Sequence, residues 1–429
     1  MSARPPAQTA QTLAQKLIAR AAGRDAVAPG EIVICRVDLA MMHDSGGPRR
    51  VKPMLEKLGA KVWDPDKVVV ITDHYLPAHD EESRRIIHIA REWVQEAGVT
   101  RFYDGIGICH VVLPQQGHLR PGMFAVGGDS HSPTGGAFGA YMFGIGATEM
   151  LGVLVTGEIW LKVPHTIRVE WRGALGPAVS AKDMTLALCG SLGLDGGQYQ
   201  AIEYAGEAIA ALPMQERMTL CNMAPEVGAQ TGLVAPDEVT RAWLAQAGAP
   251  DLDLAPWQGD EEAPVLTRHR FDASSLEPQV AAPHSPANAA GVSRNAGTRI
   301  DTAYIGACTG AKIEDLRMAA RVLKGRRVAQ HVRFVVAPAS ARDQATAAGE
   351  ETLQVLIDAG AELLANSCGI CAGYGSDRLG ENEVAISSTA RNFKGRMGAA
   401  SSQVYLASPF TVAASAVAGK ICDPREFIR

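Results

Sequence analysis

The sequence predicts an α/β fold built on parallel sheets, and three observations carry that prediction. Val68–Thr72 is a short, continuous apolar run, as expected of a strand covered on both faces. The segment after it repeats apolar residues at helical spacing. Ile86, Ile87, Ala90, Trp93, Val94 and Ala97 share one face, and Gly98 suits the helix end. The same alternation of strand and helix returns between residues 300 and 365, which is the pattern of parallel βαβ units.

In chain order, residues 1–28 read as a ragged tail followed by a short helix. The first strand candidate is 31–40, and the turn His43-Asp44-Ser45-Gly46-Gly47-Pro48 follows it. After the strand and helix just described, 123–126 reads as a strand running into a glycine-rich segment. A second unit starts near Pro164 with a strand at 166–170. The stretch 251–298 is rich in Pro, Ala, Ser and Asp with little periodicity, and it reads as an irregular linker. A third unit opens with a strand at 300–307. In the helix after it Ile313, Leu316, Ala320 and Leu323 share a face, and Gly325 ends it. Strands at 332–336 and 361–365 flank a helix at 349–359. The expected domains are 1–163, 164–298 and 299–429, with no evident internal repeat.

A chain of 429 residues is long for one core, which favours two to four domains. Hydrophobic residues make up 47% and charged residues 20%, an ordinary globular balance. The net charge of −5 without a long basic run argues against nucleic acid as a partner. No apolar run has membrane-spanning length, and Met1 to Gln15 has no apolar core like that of a signal peptide, so a cytoplasmic location is expected. Eight cysteines in a chain of this size are no disulfide scaffold.

Three groups of residues carry chemistry. Cys308 stands where a strand is expected to end and a helix to begin, a setting that favours a thiolate, and Cys368-Gly369-Ile370-Cys371 follows another expected strand. Tetrahedral zinc takes four ligands, and no fourth Cys or His lies beside these three. A cluster with three ligated irons and one open iron fits the count. A redox pair or unrelated core cysteines remain open on spacing alone. The second group sets histidine near carboxylate: Asp73-His74, His110 after Gly107, and Asp129-Ser130-His131, each after an expected strand end, where α/β sites are built. A carboxylate beside an imidazole fixes its tautomer and raises its pKa, as a general acid requires. His43, His79, His88 and His118 read as structural or solvated. The third group is Arg391-Asn392-Phe393-Lys394-Gly395-Arg396, whose two arginines can grip carboxylates, although a solvated basic loop has the same composition.

Taken together these groups resemble the aconitase superfamily over nearly the whole chain. The matching text is Gly128-Asp129-Ser130-His131-Ser132, Gly135-Gly136-Ala137-Phe138-Gly139, Cys221-Asn222-Met223 with Glu226, Tyr304-Ile305-Gly306-Ala307-Cys308-Thr309, Cys368-Gly369-Ile370-Cys371 and the Arg391–Arg396 loop. Residues 115–117 and 138–146 are similar to the large subunits of the isopropylmalate dehydratase and archaeal-type homoaconitase group. The resemblance implies three aconitase-type α/β domains around an iron–sulfur cleft, without the fourth, swivelling domain of single-chain members. It implies a [4Fe-4S] cluster on Cys308, Cys368 and Cys371, with one iron not ligated by cysteine. It implies hydrogen-bonded pairs Asp73–His74, Asp129–His110 and Glu226–His131, with Asn222, Arg391 and Arg396 around the substrate. The implied reaction is dehydration and rehydration of a small hydroxy di- or tricarboxylate, 2-isopropylmalate first, with homocitrate, dimethylmalate or methylmalate as alternatives. The implied partner is a small swivel-domain subunit, with neither nucleic acid nor membrane. An RNA-binding regulator is the alternative of another class. The resemblance departs at Gly310 and Ala390, where the family usually has asparagine, at Asn366-Ser367 in place of Pro-Gly, and at Ala339 in place of glycine.

Overall fold

The computed structural model describes residues 10–428; the N-terminal tail expected within 1–28 falls mostly outside the described residues. The chain forms three larger sheets and one two-stranded ribbon. The first sheet is entirely parallel, in the order Arg101–Asp104, Val68–Thr72, Leu39–His43, Phe124–Gly127, Tyr141–Gly144. Its chain runs outward from Leu39–His43 through two strands, then returns to place Phe124–Gly127 on the other side. The winding direction therefore reverses between Leu39–His43 and Phe124–Gly127. Such a reversal leaves a crevice beyond the carboxyl ends of those two strands, where α/β proteins bind ligands.

The second sheet holds four parallel strands, Thr231–Val234, Ala201–Ala205, Thr166–Arg172 and Thr267–Asp272. The third holds seven. Its parallel part runs Gln403–Ala407, Val384–Ser387, Thr302–Ile305, Arg333–Val336, Glu362–Leu363, and two short antiparallel strands, Gln279–Ala281 and Ala289–Gly291, extend the edge beside Gln403–Ala407. Here too the winding reverses, between Thr302–Ile305 and Val384–Ser387.

Several local expectations change. The strand expected at 31–40 is two strands. Ile32–Arg36 leaves to pair antiparallel with Glu158–Lys162, and Leu39–His43 enters the first sheet. Asp38 sits at the break, where its Oδ2 accepts the Phe124 N–H at 2.8 Å and an ion pair from Arg20. His43 closes a strand instead of opening a turn. The expected linker 251–298 contributes Thr267–Asp272 to the second sheet and Gln279–Ala281 and Ala289–Gly291 to the third. The helix expected at 349–359 is Thr352–Ala359, and a separate helix, Ala341–Gly349, precedes it, with Glu351 at φ 65° between them.

One buried apolar cluster runs through all three sheets, joining Val69 and Ile71 of the first, Val169 and Ile202 of the second, and Ile305, Phe334 and Ile386 of the third. A second covers the other face of the first sheet, where Leu13, Leu17 and Ile18 of helix Leu13–Ala21 pack with Val68, Val70 and Phe124. The continuous core holds the three sheets as one body, so the crevices of the first and third sheets keep a fixed separation. Backbone bonds join the two rims directly. Gly107 and Ser340 form an antiparallel bridge, Ile108 N–H donates to the Ala339 carbonyl at 2.8 Å, and Ala341 N–H donates to the Ile106 carbonyl at 2.8 Å.

Candidate active site

The first crevice is lined from four strand ends. Asp73 and His74 follow Val68–Thr72 and are buried. His74 Nδ1 lies 2.6 Å from Asp73 Oδ1. Asp73 Oδ2 accepts the Cys109 N–H at 2.7 Å, so the carboxylate has no rotational freedom. Burial opposes the charge on His74, but Asp73, Asp44 and Asp129 outweigh it and raise its pKa to about 10. Burial likewise opposes charge on Asp73, and the histidine pair with the Cys109 amide holds it near 2. His74 is therefore an imidazolium at neutral pH, with Nδ1–H engaged and Nε2–H available to a reactant.

His110 lies in the first turn of helix Cys109–Gln115, and its Nε2 is 2.7 Å from Asp129 Oδ1. Asp129, two residues beyond Phe124–Gly127, also accepts the His131 N–H at 2.8 Å. Burial works against its charge, but the histidines around it keep its carboxyl well below the usual range. His131 Nε2 is 3.0 Å from Glu226 Oε1. Burial and the nearby Arg391 cation both lower the pKa of His131, so this ring is neutral at pH 7. All three histidine–carboxylate pairs are thus hydrogen bonded, and the partners of the third come from residues 95 apart.

The third crevice supplies the thiols and arginines. Cys308 follows Thr302–Ile305 by three residues, and Ala307 before it takes the left-handed conformation at φ 69°. The helix after it begins only at Ile313, so Cys308 is not at a helix N-terminus as the sequence had implied. Burial pushes its thiol up to about 12. Cys368 caps a short 3-10 turn, Gly369–Ala372, beyond Glu362–Leu363, and Cys371 lies within it. Cys371 is pulled down by a hydrogen bond from the Cys368 thiol and by the cations Arg396, His74 and Arg391. The three cysteines are buried and form no disulfide; Cys368 and Cys371 pack with Ala307, and Cys308, whose thiol feels Cys371, belongs to the large apolar cluster beside them. Cys368 N–H donates to the Asp73 carbonyl at 2.8 Å, which ties the thiol loop to the acid loop.

Asn222, at the end of helix Met214–Asn222, donates from Nδ2 to Cys308 Sγ at 3.2 Å and to Thr134 Oγ1 at 2.8 Å. Its Oδ1 is buried with no protein partner. Arg391, beyond Val384–Ser387, donates from Nε to Glu226 at 2.8 Å and from Nη1 to Ser130 Oγ at 2.9 Å, which joins the two crevices. Arg396 donates to the Cys371 carbonyl at 2.9 Å. The set fits an iron–sulfur cluster. It offers three soft thiol donors, an orphaned amide oxygen beside them, and cations that favour thiolate.

The residue pattern had left out His43 and Asp44. Asp44 accepts the backbone N–H groups of Asp73, His74 and Tyr75, at 2.7 Å for the last, and so fixes the acid loop. The His43 ring stacks on His74 with centroids 4.2 Å apart. Its Nδ1 accepts the Ser45 N–H and its Nε2–H donates to the Gly128 carbonyl, so His43 is neutral. One donor atom from each of His43, Asp44, Asp73 and His74 lies within 4.8 Å of the others. Their lone pairs already face backbone N–H groups or one another, so the quartet is a hydrogen-bonded wall and not an ion cage. The adjacency His43-Asp44 mirrors Asp73-His74 and was the available signal. The departure at Gly310 also has a cause in packing: a Cβ there would meet Ser388 Oγ at 2.1 Å, and that hydroxyl donates within the turn to the Gly306 carbonyl at 3.1 Å.

Comparison with known proteins agrees with this geometry. Residues 15–419 match the family model described as the aconitase family (aconitate hydratase). The chain is 46% identical to the 3-isopropylmalate dehydratase large subunit 1 of Methanopyrus kandleri, over 97% of this chain and 100% of that protein. It is 43% identical to a probable 3-isopropylmalate dehydratase large subunit of Methanothermobacter thermautotrophicus, over 96% and 98%. It is 42% identical to the probable methanogen homoaconitase large subunit of the same organism, over 96% and 97%. The extent of these matches, on a fold whose two crevices meet at a three-thiol site, shows that the chain belongs to the aconitase family.

Proposed function

We propose that this chain is the large subunit of a two-subunit hydro-lyase that interconverts 2-isopropylmalate and 3-isopropylmalate. The observation that carries the proposal is that three histidine–carboxylate pairs and three buried thiols face one cleft, tied by Cys368 N–H to the Asp73 carbonyl and by Arg391 to Glu226. Cys308, Cys368 and Cys371 would hold a [4Fe-4S] cluster that leaves one iron without a cysteine. When bound, the cluster supplies a Lewis acid toward the substrate's hydroxyl and carboxylate.

The protein's own residues supply the rest. His74 presents Nε2–H as the acid that protonates a departing hydroxyl, and Asp73 holds its ring and charge. In the hydration direction the same nitrogen takes the proton back. His110 and Asp129 form the adjoining wall and keep a fixed proton position at Nε2. Arg391 and Arg396 bring cationic nitrogens to the side of the cleft where a dicarboxylate needs them. Glu226 holds Arg391 and the neutral His131 together.

No side chain described above is placed to take the carbon-bound proton, which supports a second subunit that closes the cleft and brings a base. The relatives that this chain spans nearly end to end carry the name large subunit. Among the described residues no helix is long and apolar enough to cross a membrane. The test is anaerobic turnover of the reconstituted chain with and without a small-subunit partner, followed by absorbance of the unsaturated intermediate. Activity is expected only with the partner, and strong hydration by the chain alone would overturn the two-subunit reading. The homoaconitase-named relative favours a second substrate class, longer tricarboxylates. Comparing kcat/KM for isopropylmalate and homocitrate decides between them.

A further inference from the structure

Lys182 is fully buried on helix Ala181–Leu192, which belongs to the second unit, yet its side chain ends in the crevice of the third sheet. Its Nζ donates to the carbonyls of Ser388 at 3.1 Å and Thr389 at 2.6 Å, and lies 3.4 Å from Thr309 Oγ1. Along the chain those acceptors adjoin Cys308 on one side and Arg391 on the other. Among the described residues it makes no ion pair. Lys312 is the contrast: it is equally buried, but its Nζ is 2.6 Å from Asp315 Oδ2 as well as 3.1 Å from the Cys308 carbonyl.

An unpaired buried cation destabilises the fold that holds it. Lys182 also stands in the first turn of its helix, where the macrodipole repels positive charge. Among the described residues its hydrogen bonds go to neutral oxygens, and no carboxylate pairs with it. Burial, with Lys312 behind it, lowers its pKa to about 8, and the anionic forms of Cys308, Cys371 and Asp315 pull the other way, Cys308 first. An iron–sulfur cluster on three thiolates carries net negative charge at this place. We infer that Lys182 is the counter-cation of that assembly, a positioning residue whose charge favours the cluster's bound and reduced forms. This rests on the cluster reading above.

The inference gives the apo and loaded forms opposite responses. The variants are Lys182→Met, which removes charge and hydrogen bonds, and Lys182→Gln, which removes charge and keeps N–H donors. With the chain reconstituted in iron and sulfide, both variants are expected to shift the one-electron reduction equilibrium about tenfold against the reduced form. That equals a potential about 59 mV more negative. Both are expected to lose iron to a chelator about tenfold faster than wild type. The apo chain of either variant is expected to melt at or above the wild-type temperature, because an unpaired buried charge is gone. Lys312→Met, which strands Asp315, is expected to lower it. Wild-type potential and iron loss in both variants, or in Lys182→Gln alone, would overturn the role of charge. A lowered apo melting temperature with an unshifted potential would make Lys182 a structural hydrogen-bond donor only. A wild-type chain that takes up no iron and sulfide overturns the cluster reading itself, and this inference with it.

Discussion

The first and third sheets are wound the same way and do different chemistry. In the parallel part of each, the chain starts on a central strand, moves outward through two more, and returns to the other side of the starting strand for the last two. The strand-end positions correspond. The starting strand leads to Asp44 in one and Cys308 in the other. The third leads to His110 in one and to Cys368 and Cys371 in the other. The fourth leads to Asp129 and Arg391. In the function proposed above, one crevice moves protons and the other gathers soft donors and cations. The fold dictates where side chains reach the cleft, and the residue at each place dictates what the cleft does.

That division of labour can be broken from either side. The largest effect is expected from Cys308→Ser, which removes a donor that no neighbour replaces. Iron and sulfide content should fall well below wild type after anaerobic reconstitution, and turnover by about a thousandfold or more. A full cluster in this variant would move the metal site elsewhere.

Asp73→Asn comes next. It leaves iron content intact but removes the main anion that keeps His74 charged, so kcat should fall by about a hundredfold to ten-thousandfold. Equal losses of iron and of activity would erase the distinction between the two crevices.

Gly107→Ala attacks the seam. Gly107 has φ 145°, and a Cβ there would meet Ser340 Cα at 2.6 Å and the Ala339 carbonyl at 2.7 Å. A loss of about 1–3 kcal/mol in denaturant stability is expected, with kcat and iron retention falling together because both rims shift. A change in one without the other would show that the crevices tolerate relative movement.

The mildest test varies pH. The pKa of His74 is raised from 6.5 to about 10 by folding, so its contribution to stability is fully present below pH 6.5 and is lost as pH climbs towards 10. The melting-temperature gap between wild-type and Asp73→Asn apo chains should therefore be widest below pH 6.5 and shrink above it. A gap independent of pH over that window would mean that His74 is not held as the cation.

Much of this site was legible because its residues sit in short local motifs. Asp73-His74 and Cys368-Gly369-Ile370-Cys371 stand beside the strands that present them, so apolar run and polar end appear in one glance. The remainder depends on distant pairing. Glu226 is a lone acid after a helix until Arg391, 165 residues on, donates to it. Thr267–Asp272 has mostly polar text and becomes a strand only because Thr166–Arg172 lies alongside. Asp44 looked like turn chemistry because its partners are backbone amides thirty residues later. The shared winding of the two sheets left no trace as a repeat, since what repeats is the order of strands and not the residues on them.

The stitches between the two rims have a consequence for how such a molecule can diversify. Ile108 N–H to Ala339, Ala341 N–H to Ile106 and Cys368 N–H to Asp73 are all bonds between main chains. No change of side chain deletes them, apart from the introduction of proline, which lacks the donor. The spacing between proton donor and thiol nest is therefore inherited with the backbone itself. Side chains around the cleft can change while the reactive groups stay in register.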